Sequence, residues 1–161
     1  TEPMTADVLA QIDALQTSYI AALDSKNMQG WLDSFTAGGS YICIAAENEE
    51  QGLPLALMMD DCHERLEDRV TYVTKVWAGT FEDYQTRHFV QRIACTPKGG
   101  NVYDTVSNFS VFYTDSAGNT GILVTGRYVD EIAVNGDGAK LKSRRAVMDT
   151  NVAPRYIVYP I

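Results

Sequence analysis

Ionisable residues interrupt what would otherwise be apolar strands in the second half of this chain: Arg87, His88, Arg92, Asp104, Arg127, Asp130, Arg144, Arg145 and Asp149. A guanidinium among apolar neighbours is best held by a carboxylate that accepts it as a bidentate pair. Alternation along a strand puts Arg145, Val147 and Asp149 on one side and Arg144, Ala146 and Met148 on the other. At least one of these two arginines therefore meets apolar neighbours, and Asp68, Asp104 and Asp149 are the expected carboxylate partners. An internal or subunit-interface ion network is expected at Arg87, Arg127 and Arg145. Solvated surface pairs worth little are expected for Arg92 and Lys142. Tyr19, Tyr41, His88 and Asp104 could supply acid–base or hydrogen-bonding groups to an apolar pocket, with pKa values tuned by burial. The same residues serve as structural polar groups, and a histidine within a strand is more often hydrogen-bonded structure.

Metal and nucleophile chemistry have little to draw on. A Rieske cluster needs two cysteines and two histidines at paired short spacings. The chain has two histidines, His63 and His88, and three scattered cysteines, Cys43, Cys62 and Cys95, without a CxxC pair. A mononuclear non-haem iron site needs two histidines and a carboxylate on one face. Here one histidine falls in an expected helix and the other in an expected strand. The cysteines read as small buried hydrophobes in a reducing compartment. Cys95 and His88 would point to opposite faces of one strand. No phosphate-binding glycine loop, dinucleotide fingerprint or GxSxG elbow is found. A net charge of −8 and a pI near 4.6 argue against nucleic acid and anionic membranes as partners. No apolar run approaches the roughly 20 residues of a membrane span.

The elements that would position these residues divide into two halves. Val8, Ile12, Leu15, Tyr19, Ala22 and Leu23 recur at helical spacing behind a Thr5 cap. Asn27 opens a second short helix carrying Met28, Trp31, Leu32 and Phe35, which Gly38-Gly39 stops. Ser40–Ala46 reads as a strand, Glu47–Gly52 as an acidic connection, and Leu53–Met59 as a short strand. Asp60 to about Lys75 reads as a third helix with Cys62, Leu66, Val70 and Val73 inward. A β-meander follows: Arg87–Cys95, Val102–Tyr113, Thr120–Ala133 and Leu141–Thr150. Asn135-Gly136-Asp137-Gly138 is a hairpin signal, since asparagine and glycine accept positive φ. Residues 1–161 read as one domain with a loose lead (1–5, with Met4 an alternative start and no signal peptide) and an extended C-terminal arm (151–161) containing Pro154 and Pro160. The expectation is an α+β domain: a curved antiparallel sheet wrapped as a cone around the long N-terminal helix, bent at glycines such as Gly121 and Gly126.

In chain order, Tyr19-Ile20-Ala21-Ala22-Leu23-Asp24, Trp31-Leu32-Asp33-Ser34-Phe35-Thr36, Leu66-Glu67-Asp68-Arg69-Val70, Arg87-His88-Phe89-Val90, Val106-Ser107-Asn108-Phe109, Gly126-Arg127-Tyr128 and Arg144-Arg145-Ala146-Val147-Met148-Asp149 resemble the small (β) subunit of Rieske-type aromatic-ring-hydroxylating dioxygenases. The stretch Glu50–Leu57 is similar to the members acting with salicylate, anthranilate or terephthalate oxygenases. The resemblance implies a nuclear-transport-factor-2-like, or cystatin-like, fold and a non-catalytic structural role. It implies an α3β3 hexamer whose β trimer lies beneath the catalytic α trimer. The Rieske [2Fe-2S] cluster, the mononuclear iron and the substrate site would then belong to the α subunit, with no cofactor in this chain. A reductase or ferredoxin would act through the α subunit, in the bacterial cytoplasm. Structural or interface candidates are then Asp68, Arg69, Arg87, His88, Asp104, Asn108, Arg127, Arg144, Arg145 and Asp149. The apolar arm residues Tyr156, Ile157, Val158, Tyr159 and Ile161 are expected to support trimer formation. The competing expectation is a stand-alone isomerase, dehydratase or hydrolase of the same fold, with Tyr19, Tyr41, His88 and Asp104 in a cone pocket. A third is a ligand-binding module, which an interior filled by Trp31, Phe109 and Tyr113 would oppose.

Overall fold

The structure, a computed structural model, describes residues 5–152 and 156–161. The expectations for residues 1–4 and for Pro154 lie outside the described residues. Helix α1 (Ala6–Asp24) starts where the Thr5 hydroxyl accepts from the Val8 N–H and places Asp7 in its first turn. Its buried stripe is Ile12, Leu15, Gln16, Tyr19, Ala22 and Leu23, so the expected apolar face carries one polar residue, Gln16. Asn27 caps α2 (Met28–Asp33) through the Gly30 N–H.

Strand β1 (Phe35–Ala45) begins earlier than expected, and Phe35, Gly38 and Gly39 belong to it and not to a helix or its stop. The register slips between Phe35 and Ser40, so the two glycines sit where the strand is irregular and not where a helix ends. The acidic connection folds into a helical turn, α3 (Ala46–Glu50), with Glu47 and Glu49 suited to its N-terminal end. Strand β2 (Ala56–Asp60) and helix α4 (His63–Thr71) follow. The helix continues as a π-helical turn over Tyr72–Val76, and Leu66 and Val73 are its buried residues.

The long strands β3 (Tyr84–Gly99), β4 (Val102–Asp115), β5 (Thr120–Asn135) and β6 (Gly138–Met148) complete one six-stranded sheet in the order β2-β1-β6-β5-β4-β3. The sheet is antiparallel except where β1 runs parallel to β6. That pairing corrects the wholly antiparallel expectation. The connection from β2 through α4 to β3 lets the meander return and dock its last strand, β6, on β1. Asn135 pairs with Gly138 across the expected hairpin, and Gly138 has φ +145°. Bulges at Arg92/Ala94, Val111/Phe112 and Glu131/Ile132 bend the long strands, a role the sequence had suggested for glycines. Gly126 instead permits a close approach, since a Cβ there would lie 2.1 Å from the Val147 carbonyl oxygen and 3.0 Å from the Phe109 ring.

The core lies between the concave face of the sheet and α1. Trp31, Tyr19, Tyr41, Tyr128 and Phe109 are buried there, Phe109 stacked on Tyr128 at 4.3 Å. The end of the chain enters the same space. Ile161 is 1% exposed, the Val158 N–H donates to the Tyr84 hydroxyl at 3.0 Å, and the Tyr159 ring packs edge-on against Phe81 and Tyr84. The arm expected to support trimer formation packs in part on its own domain. Ile157, Val158 and Tyr159 are half-buried against their own domain and Ile161 is core, because the cone provides both apolar walls and polar partners for them. Tyr156 alone of that set remains open, at 89% exposure.

Candidate functional site

The concave face gathers one group of candidates. Alternation along β6 turns Arg144, Ala146 and Met148 inward, and alternation along β5 does the same for Tyr128, Asp130 and Ile132. Arg144 lies opposite Asp130 in the β5–β6 ladder. Its Nε donates to Asp130 Oδ1 at 2.9 Å and its Nη2 to Asp130 Oδ2 at 3.0 Å, a two-pronged pair with both side chains fully buried. Nη2 also donates to Gln16 Oε1, and Gln16 Nε2 donates to the Ser107 hydroxyl at 3.4 Å. The guanidinium is sandwiched between two rings, 3.8 Å from the Tyr128 centroid and 4.2 Å from that of Tyr19. Burial opposes the charge on Arg144, yet the Asp130 carboxylate outweighs it and its pKa is raised. Burial pushes the Tyr19 phenol up to about 12, and pushes Tyr41 and Tyr128 well above the ordinary range. These phenols stay protonated in any ordinary buffer.

The second group sits where the end of α1 meets the edge strand β3. Asp24 Oδ1 lies 2.6 Å from His88 Nδ1 and accepts from the Thr86 hydroxyl at 2.9 Å, while Oδ2 accepts from the His88 N–H at 3.0 Å. Burial works against the Asp24 carboxylate, but the hydrogen bonds from His88 and Thr86 outweigh it and hold its pKa below the usual value. The carboxylate satisfies a main-chain donor on the open edge of the sheet, which fastens the helix to that edge. His88 is buried, and His63 is far off in role: it pairs with Glu67 one helical turn along α4.

The pocket expected from Tyr19, Tyr41, His88 and Asp104 does not assemble. Tyr19 and Tyr41 converge, His88 is tied to Asp24, and Asp104 is exposed on the convex face, 3.9 Å from Lys98. The expected carboxylate partners are also corrected. Asp68 is exposed on α4, and Asp149 accepts from the Thr125 hydroxyl at 3.1 Å. Arg145 instead pairs with Glu49 of α3, because its side chain points to the face that α3 covers. Arg69 forms a two-pronged pair with the buried Asp60, at 2.9 and 3.1 Å. Arg92, where a surface pair worth little was expected, takes Asp13 at 2.9 and 3.3 Å in an exposed pair. Gln16, Asp24, Glu49, Asp60 and Asp130 are the partners that sequence reasoning missed. Asp130 carried a signal, since it alternates with Tyr128, Ile132 and Val134.

The convex face holds what remains. Arg87, Asn108 and Arg127 lie on it, and Asn108 stands opposite Arg127 across the β4–β5 ladder. No ion pair engages Arg87 or Arg127 among the described residues. Phe89 and Ile122 share this face at 60% and 56% exposure, and Phe89 meets Phe112 edge-on at 5.6 Å. At the far end, an open apolar groove of about 610 Å³ runs between Leu55, Leu57, Met148, Tyr156 and Ile157. Among the described residues no group of three or more His, Cys, Asp or Glu side chains is placed to hold a metal ion. No helix among them is long and apolar enough to cross a membrane.

A bent sheet closed on a long helix and filled by aromatic residues is a nuclear-transport-factor-2-like α+β cone. Residues 20–155 match the family profile of the ring hydroxylating beta subunit, and the chain belongs to that family. The anthranilate 1,2-dioxygenase small subunit of Burkholderia cepacia is 30% identical over 99% of this chain and 99% of its own. A terephthalate 1,2-dioxygenase terminal oxygenase subunit (beta 2) of Comamonas is 24% identical over 94% of this chain and 97% of its own. A crystal structure described as the β subunit of an aromatic-ring-hydroxylating dioxygenase of Novosphingobium aromaticivorans superposes with a TM-score of 0.80 at 32% identity, covering 91% of this chain and 93% of that one. This chain is accordingly a structural subunit of a multi-subunit oxygenase component, and its partner is the α subunit.

Proposed function

We propose that this chain builds an α3β3 oxygenase in the bacterial cytoplasm, as one copy of a β trimer that supports three α subunits. The α subunits would hold the Rieske cluster and the mononuclear iron, take electrons from a reductase or ferredoxin, and hydroxylate an aromatic carboxylate. The carboxylate is suggested by the relatives, whose names specify anthranilate and terephthalate. The observation that carries the reading is the contrast in how polar groups are used. Inside the cone Arg144 is matched by Asp130, while on the convex sheet, which also exposes Phe89 and Ile122, no ion pair engages Arg87 or Arg127 among the described residues. Unpaired arginines among exposed aromatic and aliphatic side chains are the composition of an interface core and its rim. Arg87, Asn108 and Arg127 are therefore assigned to subunit contacts, and Asp130, Arg144, Asp24 and His88 to holding the fold.

Co-expression with the gene of a large oxygenase (α) subunit, followed by purification through a tag on this chain, tests the reading. A brown complex containing iron and acid-labile sulfide, with equal amounts of the two chains, is the expected product. Iron bound stoichiometrically by this chain purified alone, or turnover of an aromatic carboxylate by it, would refute the proposal.

A further inference from the structure

We propose that this chain carries both halves of a head-to-tail contact with a second copy of itself: the groove beside β2 receives the convex face around Arg87, Phe89 and Arg127 of the next copy. The inference rests on the proposed assembly, which gives that face to subunit contacts, and it names the occupant. The groove is the apolar half. Alternation along β2 turns Met58 and Asp60 inward and leaves Leu57 and Met59 outward, and Leu53 and Leu55 just before the strand are exposed with them. Four large apolar side chains at the outer strand of a sheet mark a surface that another chain covers. The rim is acidic. Asn48 and Asn151 line the groove, and Glu47 and Glu50 of the same helical turn as Asn48 are exposed, Glu47 accepting from the Asn151 side chain at 3.2 Å. No ion pair engages Glu47 or Glu50 among the described residues.

The two halves match in charge and stand apart in place. β2 and β3 are the opposite outer strands of the sheet, so the groove and the face around Phe89 meet only between copies. That face brings Arg87 and Arg127 together with the exposed Phe89 and Ile122. Its own acids are accounted for, since Lys98 pairs with Glu131 and lies 3.9 Å from Asp104. The chain carries a net charge of −8, so its copies repel unless opposite local charges meet. Groove on groove would set Glu47 and Glu50 against their own kind, and face on face would do the same for Arg87 and Arg127. Groove on face matches acid with base and covers apolar side chains with apolar side chains. A heterologous contact of this sort, repeated by rotation, closes into a ring. A ring of three copies is the β trimer of the proposed assembly.

Sedimentation velocity of the full chain, made without an α subunit, reads the contact. The parent is expected to run as a three-chain species. A face variant, Phe89→Ser with Arg127→Glu, and a groove variant, Leu57→Ser with Glu50→Arg, should each run as single chains. Mixed in equal amounts, they should form a two-chain species and nothing larger. The intact groove of the first receives the intact face of the second, and the two surfaces left over are both altered. Circular dichroism checks each fold. A variant that fails that check is replaced by Arg127→Gln or Glu50→Gln, for which association at least about tenfold weaker than the parent's is expected. A parent that runs as single chains, a variant that stays three-chain or pairs with itself, or a mixture that stays single would overturn the inference. A parent that is single on its own yet yields the brown complex with an α subunit would leave the assembly standing without this contact. A three-chain parent that recruits no α subunit would do the opposite.

Discussion

The two faces of one sheet treat arginine in opposite ways. On the concave face Arg144 is fully buried, forked onto Asp130, touched by Gln16 and stacked between Tyr19 and Tyr128. On the convex face Arg87 and Arg127 engage no acidic partner among the described residues, although Phe89, Ile122 and Val129 add exposed apolar surface to the same strands. Charge taken into a core must be neutralised there, because an isolated buried ion is costly. Charge left on a surface needs no partner until another chain removes the water. The inner set is therefore committed to folding, and the outer set remains available for association.

The largest effect should come from breaking the inner pair on one side. Asp130→Ala leaves Arg144 buried and uncompensated, and a loss of about 3–5 kcal/mol is expected in urea unfolding of the isolated chain. Glu49→Ala removes the partner of the half-exposed Arg145 and should cost no more than about 1 kcal/mol. Equal losses for the two variants would erase the distinction between the faces.

Next in size is the contact that closes the cone. Tyr41→Phe removes one of the two donors to the Ile161 oxygen, Tyr19 keeping the other, and the acceptor for the buried Ile161 N–H. A loss of about 1–3 kcal/mol is expected from the unsatisfied N–H. Faster hydrogen exchange of the Ile161 amide should accompany it, and unchanged exchange would show that this segment is held elsewhere.

A smaller and pH-dependent effect belongs to Asp24. Its folded-state pKa is depressed by the hydrogen bonds from His88 and Thr86. Its contribution is therefore fully present above the unfolded-state value of about 3.9 and disappears as the pH falls through the lower folded-state value. Asp24→Asn should destabilise the chain by about 1–2 kcal/mol near neutrality. The gap between variant and parent should narrow below about pH 4. A gap that stays constant down to about pH 2 would separate the effect from the carboxylate charge.

Which of these features could be read in the sequence depended on whether they are local. Helix α1, its Thr5 cap, the Asn27 cap and the Asn135–Gly138 turn follow from neighbours a few residues apart, and they stand where the spacing put them. Alternation also separated Arg144 from Arg145. It assigns a face but not a register, so it could not say that Asp130 would stand opposite Arg144, or that Glu49, 96 residues earlier, would reach Arg145. The same limit hid the parallel β1–β6 pairing, the 64-residue reach from Asp24 to His88 and the docking of residue 161 on Tyr19 and Tyr41. An apolar tail looks identical in sequence whether it fills its own domain or another one. The inner alternation of Tyr128, Asp130 and Ile132 was the one signal that could have named the right carboxylate.

The smallest effect on chain stability should come from the convex face, where the consequence for assembly should be greatest. Arg127→Glu removes no ion pair among the described residues, and Phe89→Ser replaces a ring that is already 60% exposed. Changes of this kind away from packed features usually stay within about 0.5 kcal/mol, so urea unfolding of the isolated chain should scarcely move. An anchor ring and an unpaired arginine in an interface are commonly worth about 2 kcal/mol or more each, and reversing the charge adds repulsion toward an acidic partner group. The double variant, co-expressed with the α subunit and purified through its own tag, should therefore emerge folded but without the iron-containing chain. Recovery of the full complex at parental yield would move the interface off this face, and the groove bordered by Leu55, Leu57 and Tyr156 would be the next surface to alter.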